Sequence, residues 1–175
     1  MKKSIGGWMA LLAMSCFFLP AAAQTAPSYQ VKAAFLYNFS QFVEWPSNAF
    51  YNAQAPFVIG ILGADPFGSY LTELVKGEKA GNRPIVIKRF GTAAEAKGAH
   101  IVFINLPDAA AAIKSFAGQN TLTVGDGENF VKAGGMIRFF TEKNKIRFQI
   151  NVTAARAANL VISAKLLRVA EIFNE

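Results

Sequence analysis

Catalytic residue types are scarce in this 175-residue chain, which has one histidine, His100, and one cysteine, Cys16. A lone histidine without cysteine partners cannot build the usual His/Cys zinc site, and no carboxylates cluster near it in sequence. Neither a G-x-S-x-G elbow nor an H-E-x-x-H motif is present. Charged residues make up only 17% of the chain against 53% hydrophobic and 13% aromatic, which excludes a disordered tail or linker. The length suits one domain with a real core. Beyond the first 23 residues no hydrophobic run reaches spanning length, so the chain past that point reads as not membrane-spanning.

What is present begins with a leader. Lys2 and Lys3 precede an apolar run from Ile5 to Leu19, followed by Pro20 and Ala21-Ala22-Ala23. The run of about 15 residues is short of the roughly 20 that a spanning helix needs. Basic region, short apolar region and A-x-A site together read as a secretion signal over residues 1–23, with a single domain over residues 24–175. Removal takes two lysines and Cys16 away, leaving 152 residues, no cysteine, and a net charge of +5 where the whole chain has +7. Disulfides and thiol chemistry are thereby excluded from the exported protein. Export also argues against a nucleic-acid partner for the positive charge, and no cofactor is implied.

The stretch from Tyr29 to Pro46 predicts a core-packed helix with Val31, Phe35, Phe39 and Phe42 on its apolar face. Phe57–Leu62 is a continuous apolar run, as expected for a strand buried on both faces. A helix is expected from Asp65-Pro66 to about Lys76, then strands at Pro84–Phe90 and Ala99–Asn105. A helix at Asp108–Ala117, a strand at Thr121–Val124 and a short helix near Glu128–Lys132 follow. Met136–Thr141 and Lys145–Val152 predict an antiparallel hairpin, Thr153 a cap for a short helical turn, and Leu160–Phe173 a final helix, secure from Ser163. The fold class is α/β: three layers, a mainly parallel sheet flanked by helices, and a C-terminal antiparallel hairpin and helix.

Two sets of residues are candidates for binding. Gly63 and Asp65 after the first strand, and Gly125 and Asp126 after the fourth, fall where open α/β sheets place ligands. The competing reading is tight turning, for which Gly and Asp are ordinary choices. In the hairpin, Arg138, Arg147, Gln149 and Asn151 are read as one side-chain face, extended by Lys165 and Arg168 of the last helix. They form either a solvated surface or a recognition face for a protein or small anion. His100 reads as a satisfied strand-end histidine, and no metal site is expected.

The segments YQVKAAFLYNFSQFVEWP, FVIGILGADPFG, AHIVFIN, TLTVGDGENFVKAGGMIRFF and KIRFQINVTAARAANLVISAKLLRVA together resemble the YfiR family of exported bacterial proteins, from about Tyr29 to Ile172. The resemblance implies a periplasmic α/β regulator that inhibits an inner-membrane diguanylate cyclase by engaging its periplasmic sensor region. Cyclic-di-GMP and biofilm formation would fall as a result. Well-known members carry redox-active cysteines; this chain has none past its leader, so redox control does not carry over. A homodimer is compatible with these features. The alternative is a periplasmic small-ligand sensor acting with a kinase or transporter.

Overall fold

The computed structural model describes residues 26–174; the leader read at residues 1–23 lies outside them. Helix α1 (Pro27–Phe42) opens on a proline, whose missing N–H is harmless in a first turn. It ends four residues before Pro46, because Val43 is already extended (φ −116°, ψ 140°) and Val43–Glu44 form strand β1. A 3₁₀ turn at Ser47–Ala49 leads to β2 (Phe57–Gly63), α2 (Ser69–Leu74), β3 (Lys79–Ala80) and β4 (Arg83–Phe90). Next come β5 (Ile101–Asn105), α3 (Ala109–Ser115), β6 (Leu122–Gly125), β7 (Ile137–Glu142) and β8 (Lys145–Ile150). The chain closes with α4 (Val152–Ala157), β9 (Val161–Ile162), α5 (Ala164–Leu167) and β10 (Glu171–Ile172).

Eight strands form one sheet in the order β10-β8-β7-β6-β5-β2-β4-β3, while β1 and β9 pair separately. All contacts in the large sheet are parallel except β3 with β4 and β7 with β8. Alternation along the strands divides the core. Phe57, Ile59, Ile61, Ile101 and Phe103 pack toward α1, α2, α4 and α5, in one cluster with Leu36, Phe39, Leu71, Ala155 and Leu166. Val58, Leu62, Val102 and Ile104 face the other way, onto Ala112, Ile113 and Phe116 of the α3 region and onto Phe130. The expected three-layer α/β architecture is therefore present.

Several local expectations are corrected. The buried side of α1 comprises Lys32, Ala33, Leu36, Phe39 and Ser40. Val31 remains 45% exposed, and Phe35 and Phe42 are only partly buried. Helix α2 starts later than Pro66, since the Asp65 carboxylate accepts the Phe67 and Gly68 amides (2.8 and 3.2 Å) and holds a turn. Residues 128–132 form turns and not a helix.

The expected C-terminal helix shrinks to the four residues of α5. Its beginning is pulled into β9 by β1, Ser163 caps what remains, and β10 pairs with β8. The cap of α4 is Asn151, whose side chain accepts the Ala154 amide at 2.9 Å, in place of Thr153. The hairpin itself is as expected, turning on Lys143 and Asn144, both left-handed at φ 48° and 60°.

Candidate functional site

The strand order makes β2 and β5 diverge to opposite neighbours, which marks their carboxyl ends as the usual ligand crevice. At this end of the sheet the start of α1 reaches residues that follow β2 and β6. Tyr29 donates from its hydroxyl to Asp126 Oδ2 (3.0 Å), and Lys32 Nζ lies 2.8 Å from the same oxygen. The Tyr29 ring meets Phe67 edge-on at 5.6 Å, and Lys32 Nζ sits 4.1 Å from the Tyr29 ring centroid. Desolvation, reinforced by the hydrogen bond and negative charge of Asp126, raises the Tyr29 phenol to about pKa 12. It therefore remains a donor at every physiological pH. Lys32 keeps only 10% of its side chain exposed, so Asp126 answers a nearly buried cation.

The other candidates at this edge have equally local duties. Gly63 has φ +90°, and a Cβ there would overlap the Asn105 carbonyl. Asp65 also accepts from Arg89 Nε at 2.7 Å, so its carboxylate is spent on its own turn and on that cation. Gly125 exists for packing: the Phe130 ring lies so close to Gly125 and Gly135 that a Cβ at either would overlap it. The Gly125-Asp126-Gly127 motif thus seats one aromatic ring and supplies one counter-ion.

The opposite edge of the sheet carries a different arrangement. His100 is 4% exposed and its ring packs against those of Phe50 (4.4 Å) and Phe57 (4.8 Å). Its Nδ1 accepts the Val58 amide at 3.0 Å, so the proton sits on Nε2. Nε2 makes no hydrogen bond of good geometry, although the Ala49 backbone lies near enough to oppose the shift. Burial, aided by the positive charge of Arg83, lowers His100 to about pKa 4. Beside this stack, Ser40, Glu44, Trp45, Phe50, Phe57 and Arg83 line a cleft of about 560 Å³.

The expected recognition residues divide between two faces of the sheet. Arg138 pairs with Gln149 across β7 and β8, and Phe140 with Arg147, so these four share one face. Arg138 stands 5.7 Å from the Phe140 ring centroid and its buried Nε has no partner. Arg147 reaches Glu142 at 3.4 Å, and Gln149 donates to Glu171 at 2.6 Å. Asn151 does not join them: at 5% exposure it caps α4 and donates to the Val131 carbonyl.

Lys165 lies on the reverse face, lining a groove of about 230 Å³ with Phe35, Asn38, Phe42, Phe148, Leu166 and Val169. Arg168, exposed, is the C-cap of the same helix. Val169 is 61% exposed, so the groove has an apolar rim beside two cations.

Among the described residues no group of three or more His, Cys, Asp or Glu is placed to hold a metal ion, and no helix is long and apolar enough to cross a membrane. The YfiR/HmsC-like family model matches residues 29–171, from the third residue of α1 through the first residue of β10. The chain belongs to the YfiR/HmsC-like family. No curated protein sequence matches it. The family match spans both the Lys32–Asp126 pair and the groove beside α5. Within this YfiR/HmsC-like domain, Tyr29, Lys32, Trp45 and Arg83 escaped the sequence reading. The inward-pointing Lys32 interrupts an apolar pattern, but its partner is 94 residues away.

Proposed function

We propose that this chain is an exported, periplasmic regulator that binds the sensor region of an inner-membrane diguanylate cyclase and holds it inactive. Cyclic-di-GMP and biofilm formation fall as a consequence. The family match over residues 29–171 carries this reading. The protein acts by binding and not by catalysis: it favours the inactive cyclase and shifts that population by its differential affinity. A shift from 1:99 to 99:1 requires about 10⁴-fold preference for the inactive form.

The partner-binding surface comprises the groove of Phe35, Phe42, Phe148 and Val169 with Lys165 and Arg168 at its side. Arg138, Arg147 and Gln149 form a second contact surface on the hairpin. The apolar rim supports recognition by desolvated aliphatic or aromatic anchors, and the cations support selection of an acidic partner. Asn151 is left out because its side chain is committed to the α4 cap. Deleting the gene in a strain with a functional cyclase should raise cyclic-di-GMP, and supplying the exported protein should restore it. An unchanged level would refute the regulatory role. Charge reversal at Lys165 should weaken capture of the cyclase sensor region while leaving the melting temperature intact.

A further inference from the structure

The cleft at the amino edge of the sheet has the makings of a small-molecule site, and it lies away from the groove assigned to the partner. Its walls are aromatic, with Trp45 meeting Phe57 edge-on at 4.8 Å and Phe50 6.5 Å from Phe57. None of these rings is free to wander: Trp45 donates its indole N–H to the His100 carbonyl at 3.2 Å, and Phe50 is stacked on the His100 ring.

Arg83 supplies the charge. Its Nη1 donates to the carbonyls of Asn52 (2.9 Å) and Ala55 (2.7 Å), and the guanidinium stands 3.8 Å from the Phe50 ring centroid. The group is thus fixed in advance, so little side-chain entropy is lost when it takes a ligand. Among the described residues it has no carboxylate partner, and its Nε and Nη2 have no protein acceptor. By contrast, Lys32, Lys76, Arg89 and Arg147 each have an acid within reach. A planar guanidinium whose Nε and Nη2 edge is unused matches a carboxylate, and the neighbouring rings match a planar apolar body. Glu44, exposed on the same cleft, disfavours a second negative charge.

We propose that the cleft bounded by Trp45, Phe50, Phe57 and Arg83 binds a small planar aromatic monocarboxylate, its carboxylate on Arg83 and its ring against the aromatic wall. Trp45 is the only tryptophan after the leader, so its emission reports this cleft directly. The chain of residues 24–175, which contains every described element, would be titrated with benzoate and 2-naphthoate. Benzylamine and acetate serve as the cationic and ring-free comparisons, and calorimetry runs in parallel.

The aromatic carboxylates should give a saturable change in Trp45 emission and bind at least about tenfold tighter than either comparison compound. Arg83→Gln should weaken 2-naphthoate by about tenfold or more. Because Arg83 also pins residues 52–55, Ala53→Phe provides a second variant. It fills the cleft from an exposed position without removing a hydrogen bond, and should abolish binding at unchanged melting temperature. Absence of saturable binding by both carboxylates, equal binding of benzylamine, or full affinity in folded Ala53→Phe would each overturn the proposal.

Discussion

Acidification should weaken the fold through His100. In the native state Nδ1 already receives the Val58 N–H. Adding a proton there would set two donors against each other and place a charge against two phenyl rings, with the Arg83 cation stacked on one of them. In the unfolded chain the ring titrates near its ordinary 6.5, whereas in the native state it is lowered to about 4. Between these values the unfolded state binds more protons, so stability falls as pH decreases through the window and is unaffected above it. The full difference of about 2.5 pKa units corresponds to about 3 kcal/mol, of which about 2 kcal/mol is lost between pH 7 and pH 5.

Urea denaturation at pH 7, 6 and 5 measures this loss directly, since the midpoint shifts while the slope with denaturant stays constant. As the chain has a single histidine, its ring proton resonance in an untagged sample gives the native pKa without assignment. His100→Asn, which does not titrate in this range, should be less stable at pH 7 but lose most of the dependence between pH 7 and pH 5. A native His100 titrating near 6.5, or an equal pH dependence in the variant, would refute the reasoning.

Other substitutions test the scaffold. Asp126→Asn leaves Lys32 nearly buried without its counter-ion and should cost about 3 kcal/mol in denaturant titration; Lys32→Met should cost less, because Tyr29 still donates to Asp126. Gly125→Ala forces a methyl group into the Phe130 ring and should destabilise by about 1–3 kcal/mol, with Phe130→Leu partly rescuing it. Phe39→Ala, at a fully buried position, should cost about 3–5 kcal/mol, and Phe35→Ala distinctly less, as read from melting curves. Asn151→Ala removes the α4 cap and should cost about 1 kcal/mol, with no selective loss of partner capture beyond that.

Particular residues show which parts of this structure are written locally. β2 and β5 are nearly continuous apolar runs buried on both faces, so composition alone reveals them. Asp108 and the small residues after it announce α3, and Asp108 does cap it, accepting the Ala110 amide. β3, β9 and β10 have two residues each, too few for any alternation to register, and the last two break what helical propensity alone would leave continuous. At the carboxyl edge, Gly125 and Asp126 have a composition shared by ligand loops and by turns. What they contact inside the fold is set by Phe130 and Lys32, whose closeness is a property of the folded chain. The cationic residues divide between two faces for a similar reason. Arg147 and Lys165 lie on opposite sides of one sheet, and only the return of the chain through α4 and β9 determines that.

The two margins of the large sheet have a bearing on how any protein can attach to it. One ends in β3 and the other in β10, each only two residues long. β3 covers only Arg83 and Pro84 of β4, and β10 only Gln149 and Ile150 of β8, so among the described residues Val86–Phe90 and Lys145–Phe148 keep an outer edge with no strand beside it. Lys88 and Arg89 on the first stretch and Lys145 and Arg147 on the second are exposed, which puts positive charge where a further strand could add and opposes edge-to-edge aggregation. A partner strand that answers those charges has a place to pair, and the charges can be altered one substitution at a time while the sheet stays whole.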